Sequence, residues 1–362
     1  MLRPREAVRT LPLYHPPLAG REGLRLDFNE NTSGCSPRVL DRLRRLDAEQ
    51  LARYPEREPV EARVAHFLRV IPEELLLTNG VDEAINLLCE AYLEPGNEAL
   101  IVVPTYSMYR IYAMATGAVV VSAQLRDNFT LSAEGVISRI NARTRFVAMA
   151  NPNNPTGTVA SKEQLLQIAQ AAPGAAMLVD EAYFEFYGQT MLNDRGETPN
   201  LFVARTFSKA YGMAGLRVGA LVGNAEQMHF VRRAASPYNV NAVALACLPD
   251  AIGDQDYICQ YVTEVLESRR QLERALQDNG LEFWRGEANF VLTRVGLSAD
   301  EAARFVERMH RRGVLVRDRS GDPGCAGCVR ITVGRKEQTD QLLTALHETL
   351  EELGIPQGAS RS

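Results

Sequence analysis

No stretch of this chain approaches the roughly 18 consecutive apolar residues of a membrane-spanning helix, so a membrane protein is not expected. Residues 1–10 alternate arginine with apolar side chains and lack the continuous apolar core of a secretory leader, which reads as a cytoplasmic, soluble chain. An excess of positive charge is missing as well: 40 basic against 45 acidic residues leave a net charge of −5, with no basic face to neutralise a phosphate backbone. Nucleic acid is therefore not an expected partner. Six cysteines in 362 residues are too sparse for a disulfide framework. Four of them, Cys35, Cys89, Cys247 and Cys259, stand singly among apolar or small residues and read as core packing. Cys325 and Cys328 form a C-x-x-C, but no second such pair and no histidine pair accompanies it, so no metal site is expected. Internal repeats and low-complexity segments are absent. So is a G-x-G-x-x-G after the first apolar run, where residues 75–81 hold a single glycine, and this argues against a dinucleotide-binding start.

What is present is a rhythm. Short apolar runs at residues 75–77, 99–103, 119–122, 146–150, 177–179, 201–204 and 220–222 are mostly separated by helical-period segments such as residues 82–93. That alternation predicts an α/β fold with a largely parallel sheet. A long charged stretch, residues 254–279, reads as a connecting helix. Beyond it come strands near residues 289–293, 314–317 and 328–333 and helices over 300–312 and 336–352, which make a small α+β unit. The expected organisation is an N-terminal arm (1–28), a large domain (29–250) and a small C-terminal domain (251–362), ending in a polar tail at 356–362 that reads as mobile.

The chemistry concentrates after the run at 201–204, in Thr206-Phe207-Ser208-Lys209-Ala210-Tyr211-Gly212, followed by Arg217. A lone lysine is ordinarily a solvated surface charge. This one sits at the carboxyl end of a predicted strand, where open α/β sheets place their ligands. An amine that can form an imine, with Thr206, Ser208 and Arg217 as donors to a dianion, suits a phosphorylated aldehyde. The run at 177–179 ends in Asp180, with Tyr183 three residues on. A buried acid needs a cation, and a pyridinium nitrogen is one, although a helix N-cap or a magnesium ligand fits the local sequence too. Asn151-Pro152-Asn153-Asn154-Pro155-Thr156-Gly157 is either a site loop or a rigid turn. Asn79-Gly80 opens a helical segment with Asp82 and Glu83 in its first turn, a phosphate cradle or a helix start that binds nothing.

The segments 151–157, 180–183 and 208–219, in that order and spacing, resemble the fold-type I aminotransferases over nearly the whole chain. Leu26-Asp27-Phe28-Asn29-Glu30-Asn31, Arg53-Tyr54-Pro55-Glu56, Pro104-Thr105-Tyr106-Ser107-Met108-Tyr109 and Val329-Arg330-Ile331-Thr332-Val333-Gly334 are most similar to the histidinol-phosphate aminotransferase family. The resemblance implies a homodimer with two pyridoxal 5'-phosphate (PLP) sites at the subunit interface. Lys209 then corresponds to the lysine that carries the cofactor, Asp180 to the partner of the pyridine nitrogen, and Asn154 with Tyr183 to the pair on the ring O3′. Tyr106 resembles the ring-stacking aromatic. Gly80, Val81, Asp82, Thr206, Ser208 and Arg217 would hold the phosphate, with Tyr54 reaching it from the neighbouring subunit. Arg330 resembles the arginine that binds the substrate anion, and Arg317, Tyr14 and Asn29 would complete that pocket.

The implied activity is transamination between histidinol phosphate and 2-oxoglutarate in histidine biosynthesis. Aromatic amino acid aminotransferases and the threonine-phosphate decarboxylase of cobalamin synthesis share the framework and stand as alternatives. Leu13-Tyr14-His15-Pro16-Pro17 and Asn79-Gly80-Val81-Asp82 depart from commoner family versions without removing a catalytic group. A regulator built on the same fold would need a DNA-binding helix-turn-helix, for which the roughly 28 residues before Asn29 leave no room.

Overall fold

The computed structural model describes residues 2–14 and 20–355. His15, Pro16 and Pro17 of the arm and the tail at 356–362 lie outside the described residues. Among the described residues, thirteen strands fall into three sheets. They are β1 (Leu24–Arg25), β2 (Leu75–Thr78), β3 (Glu98–Val103), β4 (Val119–Gln124), β5 (Thr144–Ala150), β6 (Ala176–Asp180), β7 (Leu201–Thr206), β8 (Gly219–Gly223), β9 (Glu282–Trp284), β10 (Phe290–Arg294), β11 (Val314–Leu315), β12 (Arg317–Asp318) and β13 (Cys328–Thr332).

The seven apolar runs expected as strands form one seven-stranded sheet in the order β2-β8-β7-β6-β5-β3-β4. β4, β3, β5, β6 and β7 pair in parallel, and β8 runs antiparallel to both β7 and β2. Both faces are covered over β2, β3 and β5 to β8, which is why those runs are continuous rather than alternating, while the edge strand β4 is largely exposed or half-buried. Met177 and Val179 of β6 join one apolar cluster and Leu178 joins the cluster on the other face. Because β8 is reversed, its first residue, Gly219, lies opposite Thr78 and Thr206. The carboxyl ends of β2, β5, β6 and β7 and the segment entering β8 thus share one edge of the sheet.

The four-stranded sheet β12-β13-β10-β9 is antiparallel, with Arg317 opposite Arg330 and Leu292 opposite both Arg330 and Trp284. The charged stretch forms the helix Gln255–Asp278, whose face Ile258, Tyr261, Val265, Leu272 and Leu276 is buried. Cys259 is one position off that face and exposed, so it is not a core residue as expected from its neighbours. The strand expected at 314–317 is two: β11 pairs in parallel with β1, and after Val316 the chain changes partner so that β12 pairs with β13. β1 and β9, two and three residues long, carry too short a pattern to be read from sequence.

The segment 26–31 ties this sheet to the site edge. Thr332 N–H donates to the Leu26 carbonyl (2.9 Å), Asn29 N–H to Thr332 Oγ1 (3.0 Å) and Asn289 Nδ2 to the Asn29 carbonyl (3.1 Å). From its other side Asn29 Nδ2 donates to Tyr183 Oη (2.8 Å) and Asn31 Nδ2 to the Ala210 carbonyl (2.8 Å).

Candidate active site

β7 delivers Thr206 to the sheet edge, and the turn after it places Ser208 and Lys209 beside Asp180 and the start of the helix Gly80–Tyr92. A cavity of about 140 Å³ results, lined by Val81, Asp82, Tyr106, Tyr109, Ala150, Asn154, Asp180, Ala182, Tyr183, Thr206, Ser208, Lys209 and Arg217.

At one end the groups are donors. Ser208 N–H donates to Thr206 Oγ1 (3.1 Å), while the buried Ser208 Oγ has no partner among the described residues. The first turn of the helix Gly80–Tyr92 aims unpaired N–H groups and its positive dipole end at the same place. Arg217, in the left-handed region at φ 54°, brings its guanidinium against Gly80. Gly80 has φ 74°, and a Cβ there would stand 2.6 Å from Arg217 Nη2, so a larger residue would be strained and would displace the guanidinium. Asp82 holds the cluster: Arg217 Nη2 donates to its Oδ2 (3.0 Å) and Tyr106 Oη to its Oδ1 (2.8 Å). A hydroxyl without a partner, a helix start and an arginine fit a phosphate dianion.

At the far end lies one acid. Asp180 is buried and accepts from Tyr109 Oη at Oδ2 (2.6 Å) and from Ala182 N–H at Oδ1 (3.0 Å), with no ion pair among the described residues. Burial raises its carboxyl to about 6, against the opposing pull of the Tyr109 and Ala182 donors. Tyr109 is itself fully buried, and burial followed by Asp180 pushes its phenol well above the ordinary range, so it remains a donor. A ring nitrogen that gains positive charge beside Asp180 would restore the carboxylate.

Lys209 lies between the two ends, and its Nζ donates to the Phe28 carbonyl (3.0 Å). Burial, reinforced by Arg330, lowers its amine to about 8. A useful fraction is then unprotonated near neutrality, as a nucleophile or base requires. The donor cradle, the lowered amine and the buried acid together fit PLP, whose phosphate, aldehyde and pyridine nitrogen make those three demands.

Arg330 is 5% exposed and doubly held, with Nη1 donating to Asn154 Oδ1 (2.6 Å) and Nη2 to the Asp27 carbonyl (2.6 Å). Burial, then Arg319, lowers its guanidinium to about 10, and Arg317 adds to the same push. Three like charges converge here, an arrangement suited to an anion. Arg317 lies half-buried on the adjacent strand, 5.3 Å from the Phe28 ring, with Arg21 at 4.3 Å from that ring.

The residues singled out in the sequence thus divide. Lys209, Asp180, Tyr183, Asn154, Tyr106, Val81, Asp82, Thr206, Ser208 and Arg217 line the cavity, while Gly80, Asn29 and Arg330 bond or pack against its lining. Tyr14 and Tyr54 do not line it. Tyr54 is 77% exposed and stacks on Tyr238 with ring centroids 4.3 Å apart. Two contributors stand in the resembling segments without a role read from sequence: Tyr109, three residues after Tyr106, and the Phe28 carbonyl, for which a sequence carries no signal.

The chain matches the family described as aminotransferase class I and II over residues 21–346. It is 36% identical over 339 residues to the histidinol-phosphate aminotransferase of Bacillus cytotoxicus, covering 91% of this chain and 89% of that one. It is 34% identical to that of a Geobacillus species, over 95% and 97% of the two chains. Among solved structures, the histidinol-phosphate aminotransferase of Sinorhizobium meliloti in complex with pyridoxal-5'-phosphate superposes with a TM-score of 0.88 at 25% identity, over 98% and 99%. The aspartate aminotransferase of Thermus thermophilus shares the fold, with a TM-score of 0.82. A cradle, an amine and an acid on the carboxyl edge of this sheet, in a chain so matched from end to end, place it in one family: the protein belongs to the class I and II aminotransferases.

Proposed function

We propose that the protein transfers the amino group of histidinol phosphate to 2-oxoglutarate, giving imidazole-acetol phosphate and glutamate, as a cytoplasmic homodimer that uses PLP. The observation that carries the substrate is the convergence of Arg317, Arg319 and the buried Arg330 beside Lys209. A simple amino acid offers one carboxylate to such a group, whereas a phosphate monoester brings a dianion that can engage more than one guanidinium. The relatives named above point to the same donor.

Bound PLP supplies an aldehyde that takes the amino group and a ring that draws electrons from the adjacent carbon. Ser208, Thr206, Arg217 and the N–H groups after Gly80 would hold its phosphate, with Tyr54 of a second subunit reaching the same end. Asp180 would keep the ring nitrogen cationic. Asn154 and Tyr183 would bond the ring oxygen, and Tyr106 would stack on the ring. The Lys209 amine would take up the proton of the donor's Cα, hold it at Nζ and return it, and would serve the acceptor in the reverse sense. Arg330, Arg317, Tyr14 and Asn29 orient the anionic end, so that the Cα–H bond presents itself to Lys209.

Single-turnover absorbance changes of the PLP-loaded protein with histidinol phosphate, phenylalanine, tyrosine and threonine phosphate test this reading. The expected order places histidinol phosphate first. Faster turnover of the aromatic amino acids, or carbon dioxide release from threonine phosphate, would replace it.

A further inference from the structure

The C-x-x-C at Cys325 and Cys328 spans the end of the loop 319–327 that joins β12 to β13 and the first residue of β13, and nothing in the transamination scheme uses it. Cys328 N–H donates to the Cys325 carbonyl (2.8 Å), closing a four-residue turn. The Cα atoms of such a turn lie under about 7 Å apart, the range that a disulfide spans. Two glycines fix its shape: Gly324 and Gly327 have φ of 75° and 70°, and a Cβ on Gly327 would overlap the Gly296 carbonyl. Both side chains turn inward onto Phe129, Trp284 and Leu292, while Ala326 between them is exposed. Cys328 Sγ donates to the Ala326 carbonyl (3.8 Å), and the influence of each thiol on the other pushes Cys325 up and Cys328 down, so the proton leaves first from Cys328.

The same loop reaches the anion end of the site. Cys325 N–H donates to the Asp322 carbonyl (3.0 Å), and Asp322 pairs with Arg319. Burial raises the Asp322 carboxyl, against the opposing pull of Arg319, Arg330 and Arg317, so this acid faces the three arginines at once. Cys328 opens β13, two residues before Arg330.

We propose that Cys325 and Cys328 are a reversible dithiol–disulfide couple that sets the position of the Arg319–Asp322 pair beside Arg330, and so tunes binding of the substrate's anionic end. The oxidant is a low-molecular-weight disulfide. One thiolate attacks it and expels a thiolate, and the second protein thiolate attacks the mixed disulfide and expels the other. Two protons and two electrons leave the protein, and two small thiols form. Because both sulfurs are buried, the rate follows opening of the short loop rather than encounter with the oxidant.

The binding consequence rests on the proposed role of Arg330, so the test reads the covalent change and the kinetics separately. The PLP-loaded enzyme is incubated with hydroxyethyl disulfide, alkylated and digested with trypsin, which cuts after Arg319 and Arg330 and leaves both cysteines in fragment 320–330. The expected fragment lacks two hydrogens and regains them with dithiothreitol. The oxidised enzyme is expected to show KM for histidinol phosphate changed by about threefold or more with a smaller change in kcat, a shift missing from Cys325→Ser. A fragment that keeps two alkylatable thiols, or carries the oxidant as an adduct on each, overturns the couple whatever the substrate proves to be. Closure with an unmoved KM overturns the link to the arginines.

Discussion

Lys209 makes a demand on stability that can be read without its cofactor. Its amine, lowered to about 8 in the fold, returns to the ordinary lysine range on unfolding. Between about pH 8 and the unfolded value the unfolded chain binds more protons, so stability rises with pH across that window, and the cost of burying the amine is fully present below it. Lys209→Met is expected to remove this rise, as urea denaturation of cofactor-free wild type and variant at several pH values will show; parallel curves would mean the amine is not desolvated. Asp180 depends on a neighbour. Tyr109 gives up one hydrogen bond to its carboxylate in Tyr109→Phe, a loss of about 1.5–3 kcal/mol for a charged acceptor. The variant is expected to retain PLP and to move the acid limb of the kcat profile to higher pH, since Asp180 is then protonated more readily; an acid limb that stays put would leave the phenol a packing role. Arg317 discriminates between substrates rather than supporting the fold. Arg317→Ala is expected to lower kcat/KM for histidinol phosphate about ten- to a hundredfold while sparing phenylalanine and tyrosine, and equal losses for all three would remove it from phosphate recognition.

At the scale of elements, the ends of β6 and β7 are fastened behind the site by a buried pair. Glu181 follows Asp180 and Arg205 precedes Thr206, and Arg205 Nε donates to Glu181 Oε2 (2.8 Å). Thr190 Oγ1 (2.8 Å) and Met191 N–H (2.6 Å) complete the carboxylate, and the guanidinium lies 3.5 Å from the Phe184 ring centroid. Arg205→Met strands Glu181 as a buried charge and is expected to cost about 3–5 kcal/mol, whereas adding Glu181→Leu recovers most of it. Thermal unfolding of both variants decides the point: a single variant as stable as wild type would show that the pair carries no structural weight. These strands were the legible part of the chain, because a sheet covered on both faces writes itself as continuous apolar runs. The partner change after Val316 was not legible, since it depends on β1, some 290 residues earlier, and no local pattern encodes a neighbour so distant. The site shows the same division. Lys209, Asp180 and Ser208 announce themselves by standing at strand ends, while the Phe28 carbonyl acts through backbone that any residue possesses.

For the whole molecule, the two exposed and stacked rings of Tyr54 and Tyr238 have no part in this chain's own cavity, and a second copy gives Tyr54 its proposed use. Co-expressing Lys209→Ala with Tyr54→Ala distinguishes the arrangements. If Tyr54 serves the opposite subunit, mixed dimers regain one intact site and about half the activity of wild type, although each homodimer is impaired. No recovery would place Tyr54 with its own subunit. The segment 26–31 has a different reach. Its bonds run to Asn289, Arg330 and Thr332 on one side and to Lys209, Ala210 and Tyr183 on the other. Its bonds to Asn289, Arg330 and Thr332 span 260 to 303 residues of sequence. A fold with its seven-stranded sheet paired but Asn289, Arg330 and Thr332 undocked holds the segment over Lys209 from one side only, so the geometry of the lysine depends on both sheets at once.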